Sequence, residues 1–348
     1  MRMEVTDLKK KMKKLLSIVC IFAMVFSMIG GIDMAQAKTK FVDATAGALQ
    51  VKGTKLCDKK GNVVQLRGVS THGLSWYPQY VNDKCFKELH DKWGANVVRL
   101  AMYTAEYNGY CTGNAENRKE LKKLIKKGVE LADKHDMYVI VDWHILTDND
   151  PNMHKKEAKA FFKEMSKELK KYDNVLYEIC NEPNGGTTWK DVKSYAKSVI
   201  SVIRENDKDA VIIVGTPTWS QDVDKAAENP IKGKNIMYAL HFYAGTHKED
   251  LRNKMTAAIN KGLPVFVSEY GICSADGNGS LDKPEAEKWI QTMDEYEVSY
   301  VAWNFSNKAE ASSMIKSSTG KKNGFSKKHL SDSGKWVYNM LRKKAGKS

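Results

Sequence analysis

The chain has 348 residues and a formal net charge of +14, and 42% of its residues are hydrophobic. No Pro/Ser/Thr-rich linker or low-complexity tract divides it, so its length favours one large α/β domain, a kind that runs to about 250 residues or more. The excess lysines lie between apolar residues at helical spacing and lack an aromatic RNA-binding signature, which predicts solvated helix faces and no nucleic-acid partner. The six cysteines show no CxxC or Cys/His metal spacing, and we expect no metal and no cofactor.

Residues 1–37 have the three parts of a secretory signal peptide. Five lysines at positions 9–14 precede the apolar run LLSIVCIFAMVFSMIGG, and the small residues AQA follow at 35–37. A membrane anchor is the alternative interpretation, but the run is short for a full span, and no later segment is apolar over a sufficient length. We expect cleavage after Ala37, which leaves residues 38–348 as a single domain, secreted as an extracellular monomer without a membrane span.

A hairpin and eight strand-like segments follow in chain order. The stretch ALQVKGTKLCDKKGNVVQ predicts a β-hairpin that turns at Lys-Gly-Asn. Short runs rich in β-branched and aromatic residues then predict eight strands, at 64–70, 96–103, 137–144, 174–182, 210–217, 235–243, 264–272 and 299–306.

Amphipathic segments separate these strands. One of them has an apolar stripe at helical spacing, formed by Leu121, Leu124, Ile125, Gly128 and Ala132. Apolar strands that alternate with helices predict a parallel sheet covered on both faces, and eight such units predict a closed (β/α)8 TIM barrel of the α/β class. The hairpin is then expected to cap the bottom of the barrel. An open doubly wound sheet is the alternative, but no GxGxxG or P-loop motif supports it.

Polar and aromatic side chains gather where the predicted strands end. They are Ser70, His72, Arg99, Tyr103, Asp142, His144, Asn181, Glu182, His241, Tyr243, Glu269, Tyr270, Trp303 and Asn304. Because the carboxyl ends of the strands form the functional face of such a barrel, these side chains are expected to meet at one mouth. Strand alternation points Trp143 away from that mouth, into the helix layer, and points Glu178 inward, deeper than Glu182, as a hydrogen-bonded structural residue.

Two of these residues, Glu182 and Glu269, are expected to face each other across the mouth. Such a pair of carboxyl groups is typical of glycoside hydrolysis, in which one protonates the leaving oxygen and the other attacks the anomeric carbon. Carboxyl groups about 5–5.5 Å apart retain the anomeric configuration, whereas a gap of about 6.5–9.5 Å admits a water and inverts it.

The sequence resembles the bacterial endoglucanases of glycoside hydrolase family 5. The resemblance rests on NEP at 181–183 and SEYG at 268–271, and also on GVSTHGLSWYP (68–78), VIVDWH (139–144), ALHFYAGTH (239–247) and VAWNFSNKAEASS (301–313). It implies that residues 38–348 form one catalytic domain. The implied activity is that of a secreted endo-β-1,4-glucanase that cleaves internal bonds of cellulose or mixed-linkage β-glucan by a retaining double displacement.

The resemblance also implies catalytic roles for individual residues. Glu182 would be the general acid/base and Glu269 the nucleophile. Asn181 would hydrogen-bond the 2-hydroxyl of the sugar being cleaved, and Arg99 would keep Glu269 ionised, because an adjacent guanidinium lowers the pKa of a carboxyl group. The residues implied to flank the two carboxylates are His241 and Tyr243.

A second implied set binds the polysaccharide. It comprises His72, Trp76, Tyr103, His144, Trp219, Trp303, Lys308 and Glu310. Trp303 would form a platform under the reacting sugar, Trp76 would lie on the non-reducing side, and Trp219 would stack on the leaving-group side. Aromatic rings suit this task because sugar rings carry apolar C–H faces.

Several other functions remain as alternatives. A retaining β-mannanase or xylanase would share the catalytic set, and a non-catalytic polysaccharide-binding protein would use the aromatics alone. A metal-dependent hydrolase would use the strand-end histidines, but the His-x-His spacing expected on the first strand is absent. A Schiff-base aldolase needs a lysine inside a strand, and none of the eight predicted strands has one there.

Overall fold

The computed structural model describes residues 44–347, so the predicted signal peptide lies outside the described residues. Its strands are β1 (Gln50–Lys52), β2 (Lys55–Cys57), β3 (Arg67–Thr71), β4 (Val97–Tyr103), β5 (Tyr138–His144), β6 (Val175–Glu178), β7 (Val211–Val214), β8 (Ile236–Tyr243), β9 (Val265–Gly271) and β10 (Tyr300–Phe305). Strands β3 to β10 form a closed barrel in which each strand pairs with its neighbours in parallel and β10 returns to β3. The predicted barrel is confirmed.

Helices surround the barrel. They are α1 (Asp83–Glu88), α2 (Ala115–Lys134), α3 (Lys155–Leu169), α4 (Trp189–Arg204), α5 (Val223–Glu228), α6 (Glu249–Asn260), α7 (Lys283–Glu295) and α8 (Asp332–Lys344). Helix α2 buries Leu121, Ile125, Gly128 and Ala132 of the predicted stripe. Within residues 44–347, no helix combines the length and the apolar character that a membrane span requires.

Specific caps fix where these helices begin. Thr188 precedes α4, and its side chain accepts a hydrogen bond from the Asp191 amide while the Asp191 carboxylate binds back to the Thr188 backbone. This reciprocal capping box satisfies two amide groups that the first turn of a helix leaves unpaired. The Asn114 side chain caps α2 by accepting a hydrogen bond from the Asn117 amide, without a reciprocal bond.

The hairpin β1–β2 closes the bottom of the barrel. Leu49, Leu56 and Leu66 are buried in one cluster with residues from the lower barrel interior, including Ile140 and Phe266. This position confirms the predicted cap. The predicted position of the turn was wrong, because the chain between β1 and β2 turns at residues 53–54. The Lys-Gly-Asn sequence at 60–62 instead forms a second turn around Asp58. This second turn leads to a single β-bridge between Cys57 and Val63.

Strand β6 ends four residues before its predicted end at Glu182. Beyond Glu178 the backbone keeps only isolated bonds to its neighbours, from Ile179 N–H to the Ile213 carbonyl at 3.0 Å and from Asn181 N–H to the Trp143 carbonyl at 3.2 Å. Regular pairing stops because the segment bends so that the side chains of Asn181 and Glu182 reach groups across the barrel mouth. Glu182 therefore lies on a loop, and the prediction of a strand through this residue was wrong.

Candidate active site

A cavity of about 580 Å³ opens at the carboxyl ends of the barrel strands. The structure brings eleven of the predicted site residues to its wall, namely His72, Tyr103, His144, Glu182, Trp219, His241, Tyr243, Glu269, Trp303, Lys308 and Glu310. Arg99 and Asn181 lie buried beneath it, in contact with each other, and Arg99 also binds Glu178. Trp76 packs beside the cavity against His72 and Tyr103, with ring centroids 5.6 and 4.7 Å away.

Arg99 connects the buried charges under the cavity. It is fully buried on β4, and its guanidinium donates to Glu178 Oε2 at 2.7 Å, to Glu269 Oε2 at 2.9 Å and to Asn181 Oδ1 at 2.6 Å. Its Nη2 also lies 3.0 Å from Asp142 Oδ2. A planar guanidinium can satisfy several carboxylates at fixed angles, which an ammonium group cannot do. Arg99 thus orients both Glu269, the candidate nucleophile, and Asn181 in the loop that carries Glu182.

Glu269 is held as a carboxylate. Arg99 occupies one of its oxygens, and the Tyr243 hydroxyl donates to the other, Oε1, at 2.7 Å. Burial opposes ionisation, but the charges of His241 and Arg99 outweigh it, so the pKa of Glu269 lies below its usual value. An ionised carboxylate with both oxygens oriented is suited to attack an electrophilic carbon.

Glu182, in contrast to Glu269, tends to keep its proton. Burial raises the pKa of this carboxyl group above its usual value, and the nearby Glu269 carboxylate adds to the rise, while His241 partly offsets it. Glu182 Oε1 lies 2.9 Å from His241 Nδ1. The two carboxyl groups therefore have pKa values shifted apart, the pattern of an acid paired with a nucleophile.

The ring of His241 has a defined orientation. Ser268 Oγ lies 2.7 Å from Glu178 Oε1 and 2.9 Å from His241 Nε2. The pKa of Glu178 falls to about 2 because the charges of Arg99 and His241 outweigh its burial, so Glu178 only accepts, Ser268 donates to it, and His241 Nε2–H donates to Ser268. His241 Nδ1 and Glu182 consequently face each other across a single shared proton.

The two carboxyl groups approach each other closely at the barrel mouth. One oxygen of Glu182, one oxygen of Glu269 and a ring nitrogen of His241 all lie within 4.8 Å of one another. Inversion needs a gap of about 6.5–9.5 Å to admit a water between carboxyl group and sugar, whereas direct attack needs about 5–5.5 Å. The geometry can support direct attack by Glu269 on a carbon whose leaving oxygen contacts Glu182.

Within residues 44–347, the same three side chains are of the types that bind metal ions, and their donor atoms lie within 4.8 Å of one another. Every one of the three is already engaged. Glu269 binds Arg99 and Tyr243, and His241 faces Glu182 and Ser268 with its two nitrogens. A cation here would displace the proton shared by His241 and Glu182, so the donor set fits proton transfer better than it fits a resident metal.

Comparison with known proteins decides the family. Residues 57–309 match the family described as Cellulase (glycosyl hydrolase family 5). The chain belongs to this family. Endoglucanase A of Butyrivibrio fibrisolvens is 50% identical over 296 residues, which cover 85% of this chain and 68% of that relative. An endoglucanase of Clostridium saccharobutylicum is 46% identical over 322 residues, which cover 92% of this chain and 70% of the relative.

Solved structures of cellulases share the fold. The catalytic domain of Thermobifida fusca endoglucanase Cel5A, solved in complex with cellotetraose, has a TM-score of 0.81 at 38% identity, covering 86% of this chain and 98% of that one. The alkaline cellulase K catalytic domain has a TM-score of 0.82 at 34% identity, covering 90% and 98%. The predicted family, fold and enzyme class are confirmed, and the chain is a glycoside hydrolase of family 5.

In this family 5 chain, one side of the cavity has an aromatic and charged wall. Trp303 stacks on His144 with ring centroids 5.1 Å apart and an interplanar angle of 14°. Lys308 Nζ lies 2.6 Å from Glu310 Oε2, and Glu310 Oε1 accepts from Asn304 and Ser312. These bonds hold a cation and an anion side by side, an arrangement that can bind neighbouring sugar hydroxyls.

The two histidines on this wall are neutral. Burial, with the charge of Lys308, lowers the pKa of His72 to about 3. Burial and Arg99 also hold the pKa of His144 well below its usual value, and His144 Nδ1 lies 2.6 Å from Asp142 Oδ2. A neutral imidazole can both donate and accept, so His72 and His144 suit hydroxyl binding rather than proton transfer.

Several residues of the site escaped the sequence analysis. Asp142 appeared only as a strand end, yet it contacts both Arg99 and His144. Ser268, which orients His241, stood in the SEYG motif at 268–271 but without a role. His247 lines the cavity and accepts from the Tyr243 amide at 2.9 Å through Nδ1, which leaves its proton on Nε2. The ALHFYAGTH stretch contained His247, but without a role.

Proposed function

We propose that this family 5 enzyme cleaves internal β-1,4 bonds of cellulose or mixed-linkage β-glucan with retention, using Glu269 as nucleophile and Glu182 as acid/base. The observation that carries the proposal is the pair itself. The two carboxyl groups approach within 4.8 Å, and their pKa values are shifted in opposite directions. The endoglucanase and cellulase names of the relatives support the substrate class.

In the first step Glu269 attacks the anomeric carbon. The bond to the leaving oxygen breaks as Glu182 gives that oxygen its proton, and a covalent glycosyl–enzyme remains. Arg99 and Tyr243 favour the ionised nucleophile before the attack. The loss of negative charge at Glu269 then lowers the pKa of Glu182, because a neighbouring carboxylate no longer repels its ionised form.

In the second step Glu182 acts as a base. It removes a proton from water as the oxygen attacks the anomeric carbon, Glu269 departs, and the product keeps its original configuration. His241 supports both steps because it faces the carboxyl group that first loses and then regains a proton. The interactions with Glu178 and Glu182 outweigh burial and raise the pKa of His241 to about 9, so the pair retains a proton at neutral pH.

Substrate binding follows from the walls of the cavity. Trp303 and Trp76 would stack on sugars on the non-reducing side of the cleaved bond, with Lys308 and Glu310 binding their hydroxyls, and Trp219 would stack on the leaving sugar. Arg99 fixes the Asn181 side chain directly beneath the cavity, through a hydrogen bond to Oδ1 at 2.6 Å, and its amide would contact the 2-hydroxyl of the sugar being cleaved. We also propose that the enzyme acts outside the cell as a monomer, in keeping with the signal-peptide pattern of residues 1–37.

The experiment compares wild type with Glu182→Gln and Glu269→Gln. Reducing ends released from carboxymethylcellulose and barley β-glucan should fall by at least a hundredfold in both variants. Full activity in either variant would overturn the assignment of the two carboxyl groups, whereas a wild type that binds these polysaccharides without releasing reducing ends would favour a polysaccharide-binding role. NMR of the first product tests retention, since an initial α-anomer would show inversion. Mannan and xylan in the same panel test the alternative substrates, and a preference for either would overturn the glucan proposal.

A further inference from the structure

A strained turn lies directly against the loop that carries Glu182. The turn Pro217–Ser220 contains three consecutive non-glycine residues with left-handed backbone, Thr218, Trp219 and Ser220, at φ values of 56°, 53° and 56°. Residues with a Cβ avoid this region, and such conformations persist only where surrounding structure enforces them. Surrounding contacts must therefore hold this turn.

Two of the contacts that hold this turn come from the residues on either side of Glu182. Ser220 Oγ donates to the Asn181 carbonyl at 2.6 Å, and the Trp219 amide donates to the Pro183 carbonyl at 3.0 Å. Ser220 is fully buried, so water does not replace its hydroxyl at this point. The two accepting carbonyls bracket Glu182 in the chain, which means that the turn and the Glu182 loop constrain each other.

The backbones on either side of this contact touch without intervening side chains. A Cβ at Gly215, just before the turn, would lie 2.1 Å from the Cys180 carbonyl oxygen and 2.9 Å from that of Asn181. Such distances exclude any side chain at this position. A displacement of the turn therefore moves the Glu182 loop directly, because no flexible side chain separates the two.

The turn also presents an aromatic ring to the substrate side. Trp219 is 48% exposed and lines both the catalytic cavity and a second groove of about 1210 Å³ beyond it. A ring between the catalytic cavity and the second groove is positioned to contact the leaving group as it departs from the cavity. The same four residues thus connect a leaving-group surface with the loop of the proposed acid.

We infer that Ser220 is a positioning residue that holds Glu182 in line with the leaving oxygen, through its bond to the Asn181 carbonyl and the strained turn that displays Trp219. The inference rests on the proposed acid/base role of Glu182. It assigns no contact between Ser220 and substrate. Its consequence is selective, because the position of the acid matters most for leaving groups that cannot depart without a proton.

Aryl β-cellobiosides provide the test. Phenyl and 2,4-dinitrophenyl β-cellobioside both place an aromatic ring on the Trp219 side, but only the phenolate of the first needs protonation to leave. For Ser220→Ala, kcat/KM with the phenyl substrate should fall about tenfold to a hundredfold, the scale expected when a catalytic group is displaced by about 1 Å. With the dinitrophenyl substrate it should stay within about twofold.

Two further variants complete the experiment, one as a second test of the hydroxyl and one as a control. Ser220→Gly also removes the hydroxyl but adopts the left-handed backbone without strain, so it should fold even if Ser220→Ala does not, and it should show the same selective loss. Ser166→Ala is the matched control, because Ser166 is likewise buried and donates to a backbone carbonyl, that of Lys163, on helix α3. It should leave both rates unchanged.

The outcomes separate this inference from the proposed function. If Glu182→Gln loses the phenyl substrate selectively while Ser220→Ala and Ser220→Gly lose both substrates equally, or neither, the positioning role is overturned and the acid/base role stands. If Glu182→Gln itself loses both substrates equally, the acid/base role fails, and the inference about Ser220 fails with it. A selective loss in all three variants supports both.

Discussion

His241 Nδ1 lies 2.9 Å from Glu182 Oε1, while the opposite ring nitrogen donates to Ser268. Because Ser268 donates onward to the ionised Glu178, the proton on Nε2 is fixed, and only one further proton is available between His241 and Glu182. The raised pKa values of His241 and Glu182 both favour its retention. The pair thus titrates as one unit, and its charge sets the alkaline side of activity.

The pH profile of kcat/KM should be bell-shaped. Activity needs an ionised Glu269 and a proton on the pair formed by Glu182 and His241. The lowered pKa of Glu269 places the acidic limb below the ordinary value of 4.5, and the raised pKa of the pair places the alkaline limb above that value. Initial rates on a soluble β-glucan between pH 3 and 10 check this. An alkaline limb near 4.5 would contradict the assignment.

Tyr243→Phe should move only the acidic limb. The Tyr243 hydroxyl donates to Glu269 at 2.7 Å and helps lower its pKa, so its loss raises that pKa and shifts the limb to higher pH. A hydrogen bond to a charged group contributes about 1.5–3 kcal/mol, so kcat/KM at low pH should fall roughly tenfold to a hundredfold. Tyr195→Phe, which removes a hydroxyl bonded to the Ile179 carbonyl in the helix layer, is the control and should leave the limb in place.

His241→Ala should remove part of the pH dependence of stability. The folded pKa of His241, about 9, exceeds the ordinary value of 6.5, so its contribution to stability is fully present below pH 6.5 and is lost as the pH rises to about 9. Urea unfolding at pH 6 and pH 9.5 measures this loss in wild type. The variant should lose less stability between the two pH values, and an equal loss in both proteins would refute the assignment.

The barrel and most members of its mouth followed from the sequence, because strand tips in a parallel barrel converge whatever the details of each strand. Tyr270 was wrongly placed at the mouth, since its ring packs against Phe242 and Tyr300 on the outer side of the barrel. Trp143, placed in the helix layer by alternation alone, is indeed packed against Tyr110, Phe161 and Phe162. Glu178 lies inward and deeper, bonded to Arg99, as alternation also predicted. These successes depend only on a period of two along each strand.

Alternation fails where a strand contains a bulge, and β9 contains one. On β8, Ala239 and His241 pair with Phe266 and Glu269, so β9 holds one extra residue between them. The pairing of β10 shows the same shift. The bulge lets both Ser268 and Glu269 reach the barrel interior, which no two-residue period allows. The orienting role of Ser268 could therefore not be predicted from the sequence.

Trp76→Ala and Trp143→Phe should separate substrate binding from packing. Trp76 borders the cavity, and the loss of one aromatic stacking contact should raise KM for cellotetraose about tenfold, with kcat little changed. Trp143 is fully buried in the helix layer, so its substitution should lower the melting temperature and leave KM unchanged. Kinetics and thermal unfolding of both variants provide the measurement. A raised KM in Trp143→Phe alone would reverse these roles.

Chelation should leave the activity intact. Hydrolysis by two carboxyl groups needs no Lewis acid, because Glu182 supplies the proton and Glu269 the nucleophile, and Arg99 and Tyr243 already occupy the oxygens of Glu269. Dialysis against EDTA should therefore change kcat/KM by less than about twofold, the scatter of such assays. Added Zn²⁺ should inhibit if it acts at all, since a cation at His241 and Glu182 displaces their shared proton. Loss of activity in EDTA that Zn²⁺ restores would establish the metal-dependent alternative.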